Sequence, residues 1–352
     1  MNQFRLPYHL TVAEDVFKNI PEAMADVMPK LSGKKTIIVT EGNLKELFGG
    51  IIEEICKDFS DSEIFLIKDG SYDGAVALAK YITMNGFGTV IGFGGGTVLD
   101  MAKFAAYVSK TTLISLVTTL SNDSLASPVA VLGTEGKARK TFKCGIPDAI
   151  LVDVNVIKSA PERQILAGIG DTVSKYTALY DWKLAGEKAG EEINDFAYMI
   201  SEMAFDAIRI SRKEELKSTE FITRLTQALV MGGLAMEIAG TSRPSSGSEH
   251  LFCHGLEENY SEQVNVAHGI AVAMGSYGAA VFQGRDTALL TRMIRDYGIP
   301  VKPSSQKVTE EIFIGAWQKA AASRPDRYSI LNETDLSSER LAKLYEDMEN
   351  LF

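Results

Sequence analysis

Three of the four histidines in this 352-residue chain, His250, His254 and His268, fall within nineteen residues of one another. A carboxylate, Asp171, lies upstream after Gly170, at what reads as a helix start. Two imidazoles and a carboxylate are a common ligand set for a catalytic divalent ion, which keeps one position open for water or substrate. His250 and His254 are four residues apart, so one helix would carry both on the same face. His268 begins another apparent helix. Against this, single histidines are more often satisfied core or surface residues, and spacing alone does not say which groups ligate. The metalloprotease order H-E-x-x-H is absent, since Glu249 precedes the first histidine. Three of four in one window favour a metal or catalytic site.

A second signal is Ile91-Gly92-Phe93-Gly94-Gly95-Gly96-Thr97, which leaves an apolar run and enters a helical one. Glycine allows unusual backbone angles and close approach of a ligand, and the helix start offers free N–H groups to a diphosphate. Asp100 lies one turn further on and is expected among the cofactor-binding residues. The dinucleotide fingerprint fails because Thr97 stands at its last glycine, and no Walker lysine follows. A plain tight turn is the competing explanation. Glu41 follows the first apolar run, where it could bind an adenosine ribose and repel a 2′-phosphate, or only complement a helix dipole. Thr118-Thr119-Leu120-Ser121-Asn122-Asp123-Ser124-Leu125-Ala126-Ser127-Pro128 follows another strand. Such residues are ordinary turn material, but eleven is long for a βα connection.

The elements that must position these residues fall into two blocks. Strand patterns at Lys35–Thr40, Glu63–Ile67, Thr89–Phe93, Leu113–Val117 and Ile150–Asp153 alternate with helical ones at Leu44–Phe59, Ala75–Met84 and Thr97–Ser109. That alternation predicts an α/β, doubly wound, Rossmann-like parallel sheet. Beyond Asp153 the pattern is helical, clearest at Asp171–Leu184, Ala197–Ile210, Phe221–Ile238 and Glu310–Ala322. A nucleotide-binding domain over 1–157 and an all-α metal- and substrate-binding domain over 158–352 are expected, with ligands in a cleft between them.

A net charge of −10 argues against nucleic-acid or anionic-membrane partners. The composition, 45% hydrophobic and 23% charged, suits a soluble globular protein. Three cysteines without a recognisable spacing read as reduced thiols. Met1–Leu10 lacks the apolar core of a signal peptide, and no run reaches membrane-spanning length. A cytoplasmic location is expected.

Taken in order, Gly94-Gly95-Gly96 with Asp100, Thr118 to Asp123, Gly168-Ile169-Gly170-Asp171-Thr172-Val173-Ser174-Lys175, and Ser242-Arg243-Pro244-Ser245-Ser246-Gly247-Ser248-Glu249-His250 with His254 and His268 resemble the sn-glycerol-1-phosphate dehydrogenases. These belong with iron-containing alcohol dehydrogenases, glycerol dehydrogenases and dehydroquinate synthases. The resemblance implies Asp171, His250 and His268 as ligands of zinc, with nickel or iron also compatible. It places Asp123, Asp171 and His254 at the substrate, with His254 and Asp123 orienting it or handling protons. It places Gly94, Gly95, Gly96, Thr97, Val98, Thr118, Thr119, Ser121 and Ser127 around NAD or NADP, and aligns Glu41 with a position favouring NAD. Hydride transfer between sn-glycerol-1-phosphate and dihydroxyacetone phosphate is the implied reaction. Arg243 could clamp the substrate phosphate or form an interdomain salt bridge. Ser124 departs from the glycine usual after Asn-Asp, which bears on the substrate. Glycerol dehydrogenase is the nearest alternative. A dehydroquinate-synthase-like lyase is more remote, because the metal-site half is poor in lysine. A homo-oligomer is expected from the family.

Overall fold

A computed structural model describes residues 6–59, 61–134, 139–209 and 216–352. The chain divides into two compact units, Met1–Glu162 with Lys217–Thr226, and Arg163–Leu216 with Gln227–Phe352.

The first unit contains β1 (His9–Ala13), β2 (Thr36–Glu41), β3 (Ser62–Ile67), β4 (Thr89–Gly94), β5 (Thr112–Val117), β6 (Val129–Gly133), β7 (Arg139–Lys143) and β8 (Ala149–Asp153). Its helices include two short ones, α1 (Ile20–Ala23) and α2 (Met28–Leu31), then α3 (Gly42–Asp58), α4 (Tyr72–Met84), α5 (Gly96–Ser109) and α6 (Val154–Ser159). Six strands form a parallel sheet in the order β1-β8-β5-β4-β2-β3. Both faces are covered. Ile37, Val39, Val90 and Leu113 join one core with Leu78 and Ile82 of α4 and Met101 of α5, whereas Ile38, Ile91, Phe93 and Ile114 join another with Ile52 and Ile55 of α3. Burial on both faces makes successive strand residues apolar, which is why these strands read as continuous runs. Chain order reverses at β2, with β3 on one side and β4 on the other. That switch point opens the crevice where doubly wound sheets hold ligands, outside the carboxyl ends of the strands. Glu41 ends β2 and Gly94 ends β4.

Three strands go beyond the expected set. β1 pairs with β8 at the sheet edge, and β6 with β7 forms an antiparallel hairpin. β1 and β7 are half-exposed and mix polar with apolar residues, so neither produces a clean run, and the short apolar β6 becomes a strand by pairing with β7.

The remaining elements are helices: α7 (Glu162–Val173), α8 (Lys175–Ala189), α9 (Asp195–Arg209), α10 (Thr219–Ala239), α11 (Ser248–Tyr260), α12 (His268–Phe282), α13 (Ala288–Tyr297), α14 (Glu310–Ala320) and α15 (Ser338–Leu351). Among the described residues no strand follows β8, and Ile210, the expected end of α9, lies outside them. One expectation is corrected. Asp171 does not open a helix; it lies in the last turn of α7, and Ser174 separates α7 from α8. The glycines of Ala167-Gly168-Ile169-Gly170 look like a break but sit inside the helix. Among the described residues no helix is long and apolar enough to cross a membrane.

Candidate active site

Two helices meet backbone to backbone beside the ligand candidates. A side chain at Gly269 of α12 would run into the carbonyl of Ala167 on α7, and one at Gly170 would run into the carbonyl of Gly269. Glycine is required here for close approach. Because Asp171 follows Gly170 and His268 precedes Gly269, this crossing brings carboxylate and imidazole together. α11 adds His250 from its first turn; a side chain at Gly275 of α12 would lie 2.6 Å from the Glu249 carbonyl of α11.

Nε2 of His250 is 3.5 Å from Oδ1 of Asp171, and Nε2 of His268 is 4.0 Å from the same oxygen. Ligand atoms of the three residues all lie within 4.8 Å of one another. Donors around a tetrahedral zinc are separated by roughly 3.3–3.6 Å, so a small adjustment closes this set on an ion. Each imidazole turns its other nitrogen to a carboxylate. His250 Nδ1 is 2.9 Å from Glu249 Oε1, and His268 Nδ1 is 3.2 Å from Glu257 Oε1. Glu249 is fully buried, and also accepts from the Gly247 amide at 2.6 Å and the Thr177 hydroxyl at 2.8 Å. Such partners fix the tautomer and direct the free nitrogen at a metal. The spacing and donor set therefore fit a divalent cation.

The charges agree. Burial works against ionising Asp171, yet the His250 imidazole and the Lys175 ammonium outweigh it and hold the carboxyl down to about 2. Burial likewise opposes charge on His250, and Asp171 and Glu249 overcome it, raising the imidazole above its ordinary value. His254, one turn beyond His250, does not join the three donors. Burial pushes it down to about 3, and its Nδ1 is buried without a hydrogen-bond partner. It is a neutral ring at physiological pH, suited to orienting a hydroxyl more than to storing a proton.

In the first unit, the glycine turn owes nothing to unusual backbone angles, since none of Gly94, Gly95 and Gly96 has positive φ. It owes its residues to crowding. A side chain at Gly94 would collide with Val98, one at Gly95 with the Thr119 hydroxyl at 2.6 Å, and one at Gly96 would meet Ser124 Oγ at 3.2 Å. Gly95, Gly96 and Thr97 remain half-exposed at the start of α5, where amides lack intrahelical partners. Thr119, Ser121, Asn122 and Asp123 are half-exposed beside them, and the buried Thr118 hydroxyl lacks a hydrogen-bond partner. An accessible helix start and an orphaned hydroxyl fit a phosphate-bearing cofactor. Ser124 packs toward this turn. Two expected cofactor residues have structural duties. Asp100 takes the buried Lys103 ammonium at 3.0 Å and the Val131 amide at 3.0 Å, while Ser127 lies 3.2 Å from Lys103 Nζ.

Arg243 is the clearest departure. Its guanidinium is buried, pairs two-pronged with Glu191 (Nε to Oε1 2.8 Å) and donates to the Tyr328 carbonyl at 2.7 Å. The face that would clamp a phosphate is taken, and the pair lies within the second unit. The surrounding hydroxyls instead meet Arg327, which donates to Ser242 Oγ at 2.6 Å and Ser246 Oγ at 2.9 Å. Burial, then Arg243, lowers Arg327 to about 10. Nothing in the spacing of residues 243 and 327 announces this exchange.

Comparison with known proteins places the chain. A family model described as iron-containing alcohol dehydrogenase matches residues 15–161. The glycerol-1-phosphate dehydrogenase (NAD(P)+) of Sulfurisphaera tokodaii is 34% identical over 345 residues, covering 96% of this chain and 95% of its own. The chain belongs to the glycerol-1-phosphate dehydrogenase family of iron-containing alcohol dehydrogenases. The family member of Pyrococcus furiosus is 32% identical over 333 residues, with 93% of this chain and 95% of that one covered. Among solved structures, a probable glycerol dehydrogenase from Sinorhizobium meliloti superposes with TM-score 0.79 at 21% identity over 99% of this chain and 98% of that one. Glycerol dehydrogenase from Schizosaccharomyces pombe gives 0.80 at 18%, covering 100% and 91%. These last two share the fold, which is dehydroquinate synthase-like.

Proposed function

We propose that this chain is a metal-dependent, NAD(P)-linked dehydrogenase interconverting sn-glycerol-1-phosphate and dihydroxyacetone phosphate. The observation that carries the reading is the convergence of Asp171, His250 and His268, each imidazole backed by a carboxylate, in a chain 34% identical along nearly its whole length to a protein named for that activity.

Asp171, His250 and His268 would hold the ion, with zinc the first choice and nickel or iron also suited to one carboxylate and two imidazoles. When bound, such a cation supplies Lewis-acid stabilisation of negative charge on the substrate oxygen. Glu249 keeps the proton of His250 on Nδ1, and Glu257 does the same for His268, so both Nε2 lone pairs face Asp171. Neutral His254 orients a substrate hydroxyl, and Asp123 is the proton-handling group. The amides of Gly95 to Val98 receive the cofactor diphosphate, with Thr118, Thr119 and Ser121 around the nicotinamide half. Glu41, at the end of β2, takes the adenosine ribose and favours NAD over NADP.

Glycerol oxidation is the second reading, and the commitment of Arg243 to Glu191 favours it, because the expected phosphate anchor is occupied. Assaying sn-glycerol-1-phosphate beside glycerol, with NAD and with NADP, decides between them. A kcat/KM for the phosphate ester no greater than that for glycerol would overturn the first reading.

A further inference from the structure

His268 faces two groups of donors. Its Nε2 looks toward Asp171, and its Nδ1 looks toward Cys253 and Glu257 of α11. On that second side, Cys253 Sγ is 3.4 Å from Nδ1, Glu257 Oε1 is 3.2 Å from Nδ1, and Sγ is 3.5 Å from Oε1. A thiolate at about 2.3 Å and nitrogen or oxygen at about 2.0–2.1 Å from a tetrahedral ion are separated by roughly 3.3–3.6 Å along each edge. All three edges match or nearly match without movement. The spacing is tighter than that of the Asp171 group, where the His268 edge is 4.0 Å. Spacing of four residues puts Cys253 and Glu257 on one face of α11, turned to the first residue of α12.

We propose that Cys253, Glu257 and Nδ1 of His268 form a second metal site, selective for a thiophilic divalent cation such as cadmium or excess zinc. Soft thiolate favours such ions over magnesium or manganese. On binding, the sulfur–hydrogen bond of Cys253 breaks, a sulfur–metal bond forms, and the proton leaves to solvent; nothing is oxidised or reduced. The ring proton of His268 must then sit on Nε2, whereas service to Asp171 requires it on Nδ1. One imidazole cannot satisfy both while neutral, so the two sites are alternatives and a soft ion withdraws His268 from the Asp171 group. This consequence rests on the reading of Asp171, His250 and His268 as the catalytic ligands; the second site itself rests on its own three distances.

The test titrates full-length protein, freed of metal by chelation and dialysed, with cadmium while following the ultraviolet sulfur-to-cadmium charge-transfer band. The band should develop in the native protein, persist in Asp171→Asn, and vanish in both Cys253→Ser and Cys253→Ala. Glu257→Gln should weaken the cadmium affinity read from the band about tenfold or more. No band in the native protein, or a band surviving in both Cys253 variants, overturns the site. A band lost in Asp171→Asn also overturns it, since the thiol would then be serving the Asp171 group. Failure of the dehydrogenase reading shows separately, as an unchanged turnover in Asp171→Asn.

Discussion

In the sheet unit, Gly95 and Gly96 leave backbone amides half-exposed at a helix start, whereas in the helical unit Gly170 and Gly269 are sealed between two helices and expose nothing. The first pair makes room for the side chains of Thr119 and Ser124 and leaves a helix start accessible; the second makes room for the backbone of a neighbouring helix. The same residue type therefore supports two kinds of site. One consists of main-chain donors on a sheet edge, and tolerates change so long as the edge stays open. The other consists of side chains whose separation is set by how closely their helices approach.

His268→Ala breaks the second kind most directly. Turnover should fall about 1,000-fold, the loss expected when several kcal/mol of charge stabilisation disappear. Circular dichroism should show the fold retained, and chelation of the native enzyme should match the loss. Full activity in either case removes the ion from the mechanism. Glu249→Gln keeps shape but weakens the acceptor for His250, so zinc affinity should drop about 10–100-fold by calorimetry. An unchanged affinity would reduce Glu249 to a packing residue.

The glycine contrast is sharpened by a matched pair. Gly269→Ala should cost about 1–3 kcal/mol in thermal unfolding, as overpacking does. Gly96→Ala should leave unfolding nearly unchanged while raising the KM for NAD(H), because Ser124 can give way but a docked diphosphate cannot. Equal stability losses would erase the distinction drawn above.

Acidity offers a subtler probe. Buried Asp181 accepts the amides of Ser248 and Ile330 at 2.6 and 2.9 Å. Burial, then the nearby Glu249 charge, raises its carboxyl to about 6. Folded protein thus binds a proton there that unfolded chain releases near pH 4. This contribution is fully present below pH 4 and is lost as pH rises through 6, on the order of 1–3 kcal/mol. Asp171, held to about 2, acts oppositely, stabilising above pH 4 and fading toward pH 2. Denaturant midpoints of native protein and Asp181→Asn across pH 4–7 check the sign; parallel curves would refute it. The smallest effect belongs to the sheet edge. Glu41→Gly should shift the NADPH-to-NADH preference about fivefold, close to 1 kcal/mol, and a constant ratio would free Glu41 of that duty.

Strands buried on both faces were legible because every residue of Ile37–Val39 or Ile150–Val152 had to be apolar. β7 was not, since Arg139–Lys143 carries three basic residues and only its pairing with β6 makes it β. The candidate cluster was visible as a scarcity of histidine concentrated in one stretch with Asp171 upstream, and the family resemblance singled out Asp171, His250 and His268 from it. The helix boundary beside Asp171 was misread because glycines that permit helix crossing look like glycines that end helices. The fate of Arg243 was hidden for a different reason. Competition between Glu191 and a substrate anion for one guanidinium depends on loops more than fifty residues apart, and no local pattern encodes the outcome.

The crossing at Gly170 and Gly269 has a consequence for inherited variation. A methyl group added there would touch no substrate, cofactor or cation, yet it would pry apart the two backbones that hold Asp171 and His268 at chelating range. Loss of function in this enzyme can therefore arise one peptide bond away from its chemistry, in residues with no side chain to react, and would be recorded as poor metal retention in a protein whose every ligand is intact.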